Sequence, residues 1–138
     1  GATVVRGGTT ACFIPSVDQI HMPERELFRS TAGYITTLCH ELTHWTGSKH
    51  RLNRDLSGRF GSQSYAAEEL VAELGSAFLP ASLGLESEPP ANHAAYIANW
   101  LPLVMSDPRA LFSAASHASR ATDWLLATSG YSADPIAS

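Results

Sequence analysis

The sequence predicts an α+β domain. Short β-prone runs crowd its first part, amphipathic helical patterns fill the remainder, and no internal repeat or low-complexity tract interrupts them. Thr3 to Val5 is a first brief strand, Gly7-Gly8 a turn, and Thr10 to Ile14 a second run that Pro15 and Ser16 break. Val17 to His21 alternates as a third strand. Pro23 then suits the start of a helical region, with Glu24 and Glu26 at the positive end of a helix dipole. Phe28 to Thr46 reads as the first long helix, stopped at Gly47. Ser48 to Gln63 carries two glycines and many polar residues and reads as a long loop, a kind that tends to be functional in a small domain. Ser64 to Leu83 is helical again, with Gly84 as its stop, and Glu88-Pro89-Pro90 is a linker turn. Helices over Asn92 to Met105 and Pro108 to Thr128 precede a polar tail.

The 138 residues are expected to form one domain, since 44% are hydrophobic and only 16% charged, enough for a real core. The net charge of −4 argues against a chain that grips nucleic acid by itself, because phosphate binding needs clustered Lys and Arg. No apolar run approaches a membrane span, and no signal-peptide pattern opens the chain. Cys12 and Cys39 form no CxxC pair or disulfide framework; two buried thiols in a reducing cytoplasm are expected. The start at Gly1, without methionine, fits a domain belonging to a longer protein.

The chemistry concentrates in His40-Glu41-Leu42-Thr43-His44, an HExxH motif. Two histidines at i and i+4 share one helical face and can bind one Zn²⁺, while the intervening Glu41 reaches a water held there. The metal lowers that water's pKa; the carboxylate takes its proton and passes it to the leaving amine. Ile35, Leu38, Leu42 and Trp45 form an apolar stripe, and Leu38 and Leu42 point about 200° from His40, toward the core. Thr36 and Thr37 share the histidine face and are small enough to leave room. The helix is expected to bury one side and present its ligands on the other.

A catalytic zinc usually takes three protein ligands and keeps one position open. Two sources of the third compete. His50 completes HExxHxxGxxH, the metzincin spacing, although Met105 at a helix end is a weak fit for the methionine such sites place beneath the metal. Alternatively the next helix supplies an acid: Glu69 and Glu73, spaced i and i+4, face one way, as a ligand and a supporting carboxylate would. Glu68 points about 100° aside and reads as solvated or salt-bridged.

The run from Tyr34 to Gly47, then Arg51 to Leu56, then Tyr65 to Glu73, resembles the metallopeptidase domain of ArdC-type antirestriction proteins, whose relatives include TraC-type plasmid primases. Asp18 to Pro23 and Tyr96 to Leu101 are similar too, so the resemblance covers nearly the whole chain. It implies a zincin-like fold of the glutamate-zincin kind, with short strands, an active-site helix and three further helices. It also implies His40 and His44 as zinc ligands and Glu41 as general base. The ExxA(D/N/E) signature on the second helix puts the third ligand at Glu69. Members of that group carry an N-terminal single-stranded-DNA-binding domain, absent here, and protect incoming DNA from restriction. A protein or peptide substrate is implied, of no particular identity.

The expected function is metal-assisted peptide hydrolysis in an antirestriction or mobile-element protein. The rival is a non-proteolytic interaction module with a structural zinc closed by four ligands. His21, His93 and His117 lack partners at ligand spacing and read as surface or capping residues. Arg51, Arg54 and Arg59 read as a solvated loop with bridges to Asp55. Tyr34, Tyr65 and Tyr131 are candidates to stabilise an oxyanion, with nothing to choose among them. Trp100, Leu101, Leu103, Leu111 and Phe112 read as core of the last two helices.

Overall fold

The computed structural model describes residues 1–89 and 93–132. Three strands come first: β1 (Thr3–Arg6), β2 (Cys12–Ile14) and β3 (Gln19–Met22). They form one sheet in the order β1-β3-β2, with β1 parallel and β2 antiparallel to β3. The β2–β3 turn passes through Asp18 at a positive φ of 53°, a backbone region that Asp tolerates better than most residues. Four helices follow: α1 (Thr31–Thr46), α2 (Gln63–Ser82), α3 (His93–Ser106) and α4 (Arg109–Thr128). The expected start of α3 at Asn92, Pro90 of the turn before it, the His93 side chain and the tail beyond residue 132 lie outside the described residues.

The first helix starts later than its pattern suggests. Arg25–Leu27 makes a separate 3₁₀ turn, Phe28 is extended, and Ser30 caps α1 by accepting from the Gly33 amide. A cap that satisfies an orphan amide outcompetes the periodicity of the preceding residues. At the other end of α2 the expected stop holds. Gly84 takes a φ of 68°, and the Leu85 and Gly84 amides return to the Pro80 and Ala81 carbonyls in a Schellman closure.

Two apolar clusters hold the layers together. Ile20 and Met22 of β3, Trp45 and the partly buried Leu38 and Leu42 of α1, and Trp124 of α4 join the sheet to the helices. Leu70 and Val71 of α2 meet Ala114 and Ala118 of α4, with Trp100 and Val104 of α3 alongside. Alanines at 114, 118 and 121 let α4 lie close to α2.

Helix α1 is therefore covered on both faces, not one: its apolar stripe meets the sheet, and the opposite face, with Thr36, His40 and Thr43 buried, meets α2. Their contact is close at Gly75, where a Cβ would overlap the Thr43 side chain. The last two helices are less covered than the sequence suggests. Leu101, Leu111 and Phe112 are exposed, Phe112 to 76%, while Trp100 turns inward. An apolar helical face shows that a surface needs covering, not what covers it.

Candidate metal centre

Two neighbouring helices bring the site together. His40 and His44 project from α1 one turn apart; Glu69 and Glu73 project from α2 with the same spacing. The Nε2 atoms of His40 and His44 lie 3.2 Å apart. Glu69 closes the triangle, with Oε1 3.0 Å from His44 Nε2 and Oε2 3.4 Å from His40 Nε2. Among the described residues, His40, His44 and Glu69 form the group whose donor atoms converge tightly enough to share an ion. Donors bound at 2.0–2.1 Å around a tetrahedral ion stand about 3.3 Å apart, which is the spacing found.

The outer nitrogens fix the chemistry of the inner ones. His40 Nδ1 lies 3.3 Å from Glu73 Oε1, and His44 Nδ1 lies 3.1 Å from Glu68 Oε1. A carboxylate only accepts, so each Nδ1 carries a hydrogen, and each Nε2, once it gives up any proton of its own, presents a lone pair. Two lone pairs and a carboxylate then face one another in a buried space. Only a shared positive charge satisfies that arrangement, so the residues present fit a divalent metal ion.

In the metal-free chain protons take the place of that ion. Burial alone would pull His40 and His44 down, yet their carboxylate partners outweigh it, raising both and pushing His44 up to about 10. Burial likewise opposes the charge on Glu69, but hydrogen bonds from His40 and His44 hold it well below the usual carboxylate range. The carboxylates around the two imidazoles favour positive charge there.

Glu68 and Arg54 correct the sequence reading. Glu68 is buried, not solvated, and is salt-bridged to Arg54: Nε donates to Oε2 at 3.0 Å and Nη2 to Oε1 at 2.9 Å. The Arg54 side chain is only 6% exposed and makes no bridge to Asp55. Arg51 is buried too. It pairs with Asp18, stacks 3.9 Å over the Trp45 ring and donates to the Trp45 carbonyl, tying the β2–β3 turn to the end of α1. Of the three loop arginines, Arg59 alone is exposed as expected.

His50 goes elsewhere: its side chain is 66% exposed, and its Nε2 accepts from Arg51 and approaches Asp18. Met105, 76% exposed, lies under nothing.

Beside the donor cluster a cleft of about 420 Å³ is lined by Ala11, Cys12, Phe13, Glu41, Tyr65, Ala95, Tyr96 and Asn99. Glu41 is buried against it. Burial raises its pKa, while His40 and His44 and a hydrogen bond from the Phe13 backbone pull the other way. Cys12 lines this cleft and is half-buried, whereas Cys39 is fully buried, its thiol pushed up to about 12. Of the tyrosines singled out from sequence, Tyr65 reaches the cleft; Tyr34 packs on Phe28 and Tyr131 is exposed past α4. Sequence reasoning missed Tyr96. It comes from α3, lines the cleft and sets its ring edge-on to His40, with centroids 5.8 Å apart.

Comparison with known proteins identifies the family and the fold. The zincin-like metallopeptidase family matches residues 1–117. The y4eC protein of Sinorhizobium fredii is 49% identical over 125 residues, covering 91% of this chain and 41% of that protein. A DNA primase TraC of Escherichia coli is 44% identical over 128 residues, covering 92% of this chain and 12% of the primase. The Mn(II)-bound crystal structure of the antirestriction protein ArdC from the R388 plasmid superposes with a TM-score of 0.79 at 44% identity, over 92% of this chain and 48% of that one. Its metal-free structure gives a TM-score of 0.77 at 41% identity. The chain thus spans less than half the length of these relatives.

Proposed function

The chain belongs to the zincin-like metallopeptidase family, and from that premise we propose that it hydrolyses peptide bonds, with His40, His44 and Glu69 holding one divalent metal and Glu41 acting as general base. Zinc is the ion this donor set suits by default; Mn(II) in the ArdC relative shows that such a fold also accepts a harder ion. The observation that carries the reading is the convergence of two Nε2 lone pairs and one carboxylate, each imidazole backed by its own acid. When bound, the ion would polarise a carbonyl and acidify water.

The chain's own residues supply the rest. Glu41, buried beside the cleft and made more basic by that burial, is suited to take a proton and hand it to a leaving amine. Tyr65 and Tyr96 stand on the His44 and His40 sides of the cleft, where a hydroxyl can donate to an oxygen that gains charge. Among the described residues strand β2 pairs only with β3, and its outer edge beside the cleft, where the Phe13 backbone already holds Glu41, offers its remaining groups to an extended peptide.

Similarity to ArdC and TraC supports a place in an antirestriction or mobile-element protein. A cytoplasmic setting and single-stranded DNA reached through a further domain belong to the proposal. No helix among the described residues is long and apolar enough to cross a membrane.

The test is Glu41→Gln. Peptide hydrolysis by the metal-loaded chain should fall about 10²–10⁴-fold, with one equivalent of metal still bound. A variant that cleaves like wild type would remove Glu41 from the chemistry. Wild type that binds metal but cleaves no peptide would favour the interaction-module rival.

A further inference from the structure

Arg54 is not among the described residues lining the cleft around Glu41, yet several local features of the α1–α2 segment serve to place it. Asn53 turns the chain at a positive φ of 51°, and the Arg54 amide donates to the Gly47 carbonyl at 2.9 Å. Gly47 has an ordinary φ of −76°, so it is not needed for backbone freedom. It is needed for room: a Cβ there would sit 2.9 Å from Arg54 Nη2 and from Leu56 Cδ2.

The guanidinium so placed does two separable things. Nη1 donates to Thr46 Oγ1 at 3.0 Å and Nη2 to the Thr43 carbonyl at 2.6 Å, which fastens the loop to the end of α1. Nε and Nη2 also grip both oxygens of Glu68, whose Oε1 receives the Nδ1 hydrogen of His44. The two ligand histidines are therefore held differently. His40 leans on Glu73, near which no arginine or lysine lies within ion-pair distance among the described residues; His44 leans on a carboxylate that is itself clamped.

We propose that Arg54 is a positioning residue of the metal centre, fixing the Glu68 carboxylate that orients the His44 ring and thereby setting how tightly the centre holds its ion. A bidentate fork fixes the plane of a carboxylate, which a single ammonium cannot do. The proposal rests on the reading of His40, His44 and Glu69 as metal ligands. It places part of the centre's affinity in an arginine that is not itself one of the metal donors.

The experiment is Zn²⁺ affinity by competition with a chromophoric chelator, for wild type, Arg54→Lys, Glu68→Gln and the double variant. Groups that orient metal ligands contribute about 10–100-fold in affinity, so each single variant should weaken binding by about tenfold or more. Because Arg54 acts through Glu68, the double variant should bind no more weakly than Glu68→Gln alone. Thr46→Val, which removes the Nη1 contact and the Thr46 hydroxyl's bond to the Thr43 carbonyl but leaves the grip on Glu68, should lower the melting temperature of the metal-free chain and leave affinity unchanged. Should the lysine variant not fold, Arg54→Gln carries the same expectations. Losses that add in the double variant, an Arg54 variant within about twofold of wild type, or an affinity loss in Thr46→Val matching that of Arg54→Lys would each overturn the proposal. Wild type that takes up no Zn²⁺ would overturn the metal reading itself, a different and recognisable failure.

Discussion

Gly75 of α2 meets the side chain of Thr43 of α1 at a distance that leaves no room for a methyl group. That contact sets the separation of the two helices just where one supplies His40 and His44 and the other Glu69 and Glu73. Gly75→Ala should therefore force the helices apart, destabilising the fold by about 1–3 kcal/mol, the usual cost of overpacking. Chemical denaturation measures the loss, and Thr43→Ser in the same chain should recover part of it. An alanine variant as stable as wild type would mean that the helices separate freely.

The third ligand is tested by metal content. Glu69→Ala should leave two histidines and lose most of the bound metal, while His50→Ala, altering an exposed ring that faces Asp18, should retain a full equivalent. The reverse result would mean that the 47–62 segment rearranges on binding to bring His50 inward.

Metal uptake should tighten as pH rises. In the metal-free chain His44 keeps its proton up to about pH 10, and His40 is raised as well, so an incoming ion must displace protons. Apparent affinity should gain about tenfold per pH unit for each proton displaced. The metal-free chain should behave oppositely in stability. A raised imidazolium contributes fully below its unfolded value of 6.5 and loses that contribution as pH climbs through about 10. The melting temperature after EDTA treatment should fall from pH 7 to 10, and that of the loaded chain should fall less. Parallel curves would show that the carboxylates do not hold those protons.

Tyr96→Phe and Tyr65→Phe separate the two candidate hydroxyls. Whichever one donates to the developing charge should lose about 10²–10³-fold in kcat with KM and metal content little changed. The other ring serves as cleft wall, and its variant should act on KM.

The motif was legible because its chemistry is periodic: His40, Glu41 and His44 sit on one helix, where spacing alone states which side chains share a face. Glu69 came from the likeness of its helix to a known signature, and the structure places it beside both imidazoles. What escaped was set by the path of the chain between elements. Arg54 reaches Glu68 across a loop whose course depends on Asn53 and Gly47, and Tyr96 arrives from a helix far along the sequence. Neither spacing nor composition marks such meetings. Leu111 and Phe112 escaped for a different reason: apolar character was read as burial, although it says only that exposure is costly.

Every donor atom of the centre, both acids behind the imidazoles and the arginine behind one of them fall between positions 40 and 73, on two successive helices and the loop that joins them. Loop closure over so short a stretch costs little entropy, so a nascent chain can form the ion trap as soon as α2 has left the ribosome. Leu70 and Val71 on the reverse of α2 stay bare until α4 supplies Ala114 and Ala118. Assembly of the donor cluster can thus precede closure of the core, so the site and the packing that later covers its helix are separable in the order of folding.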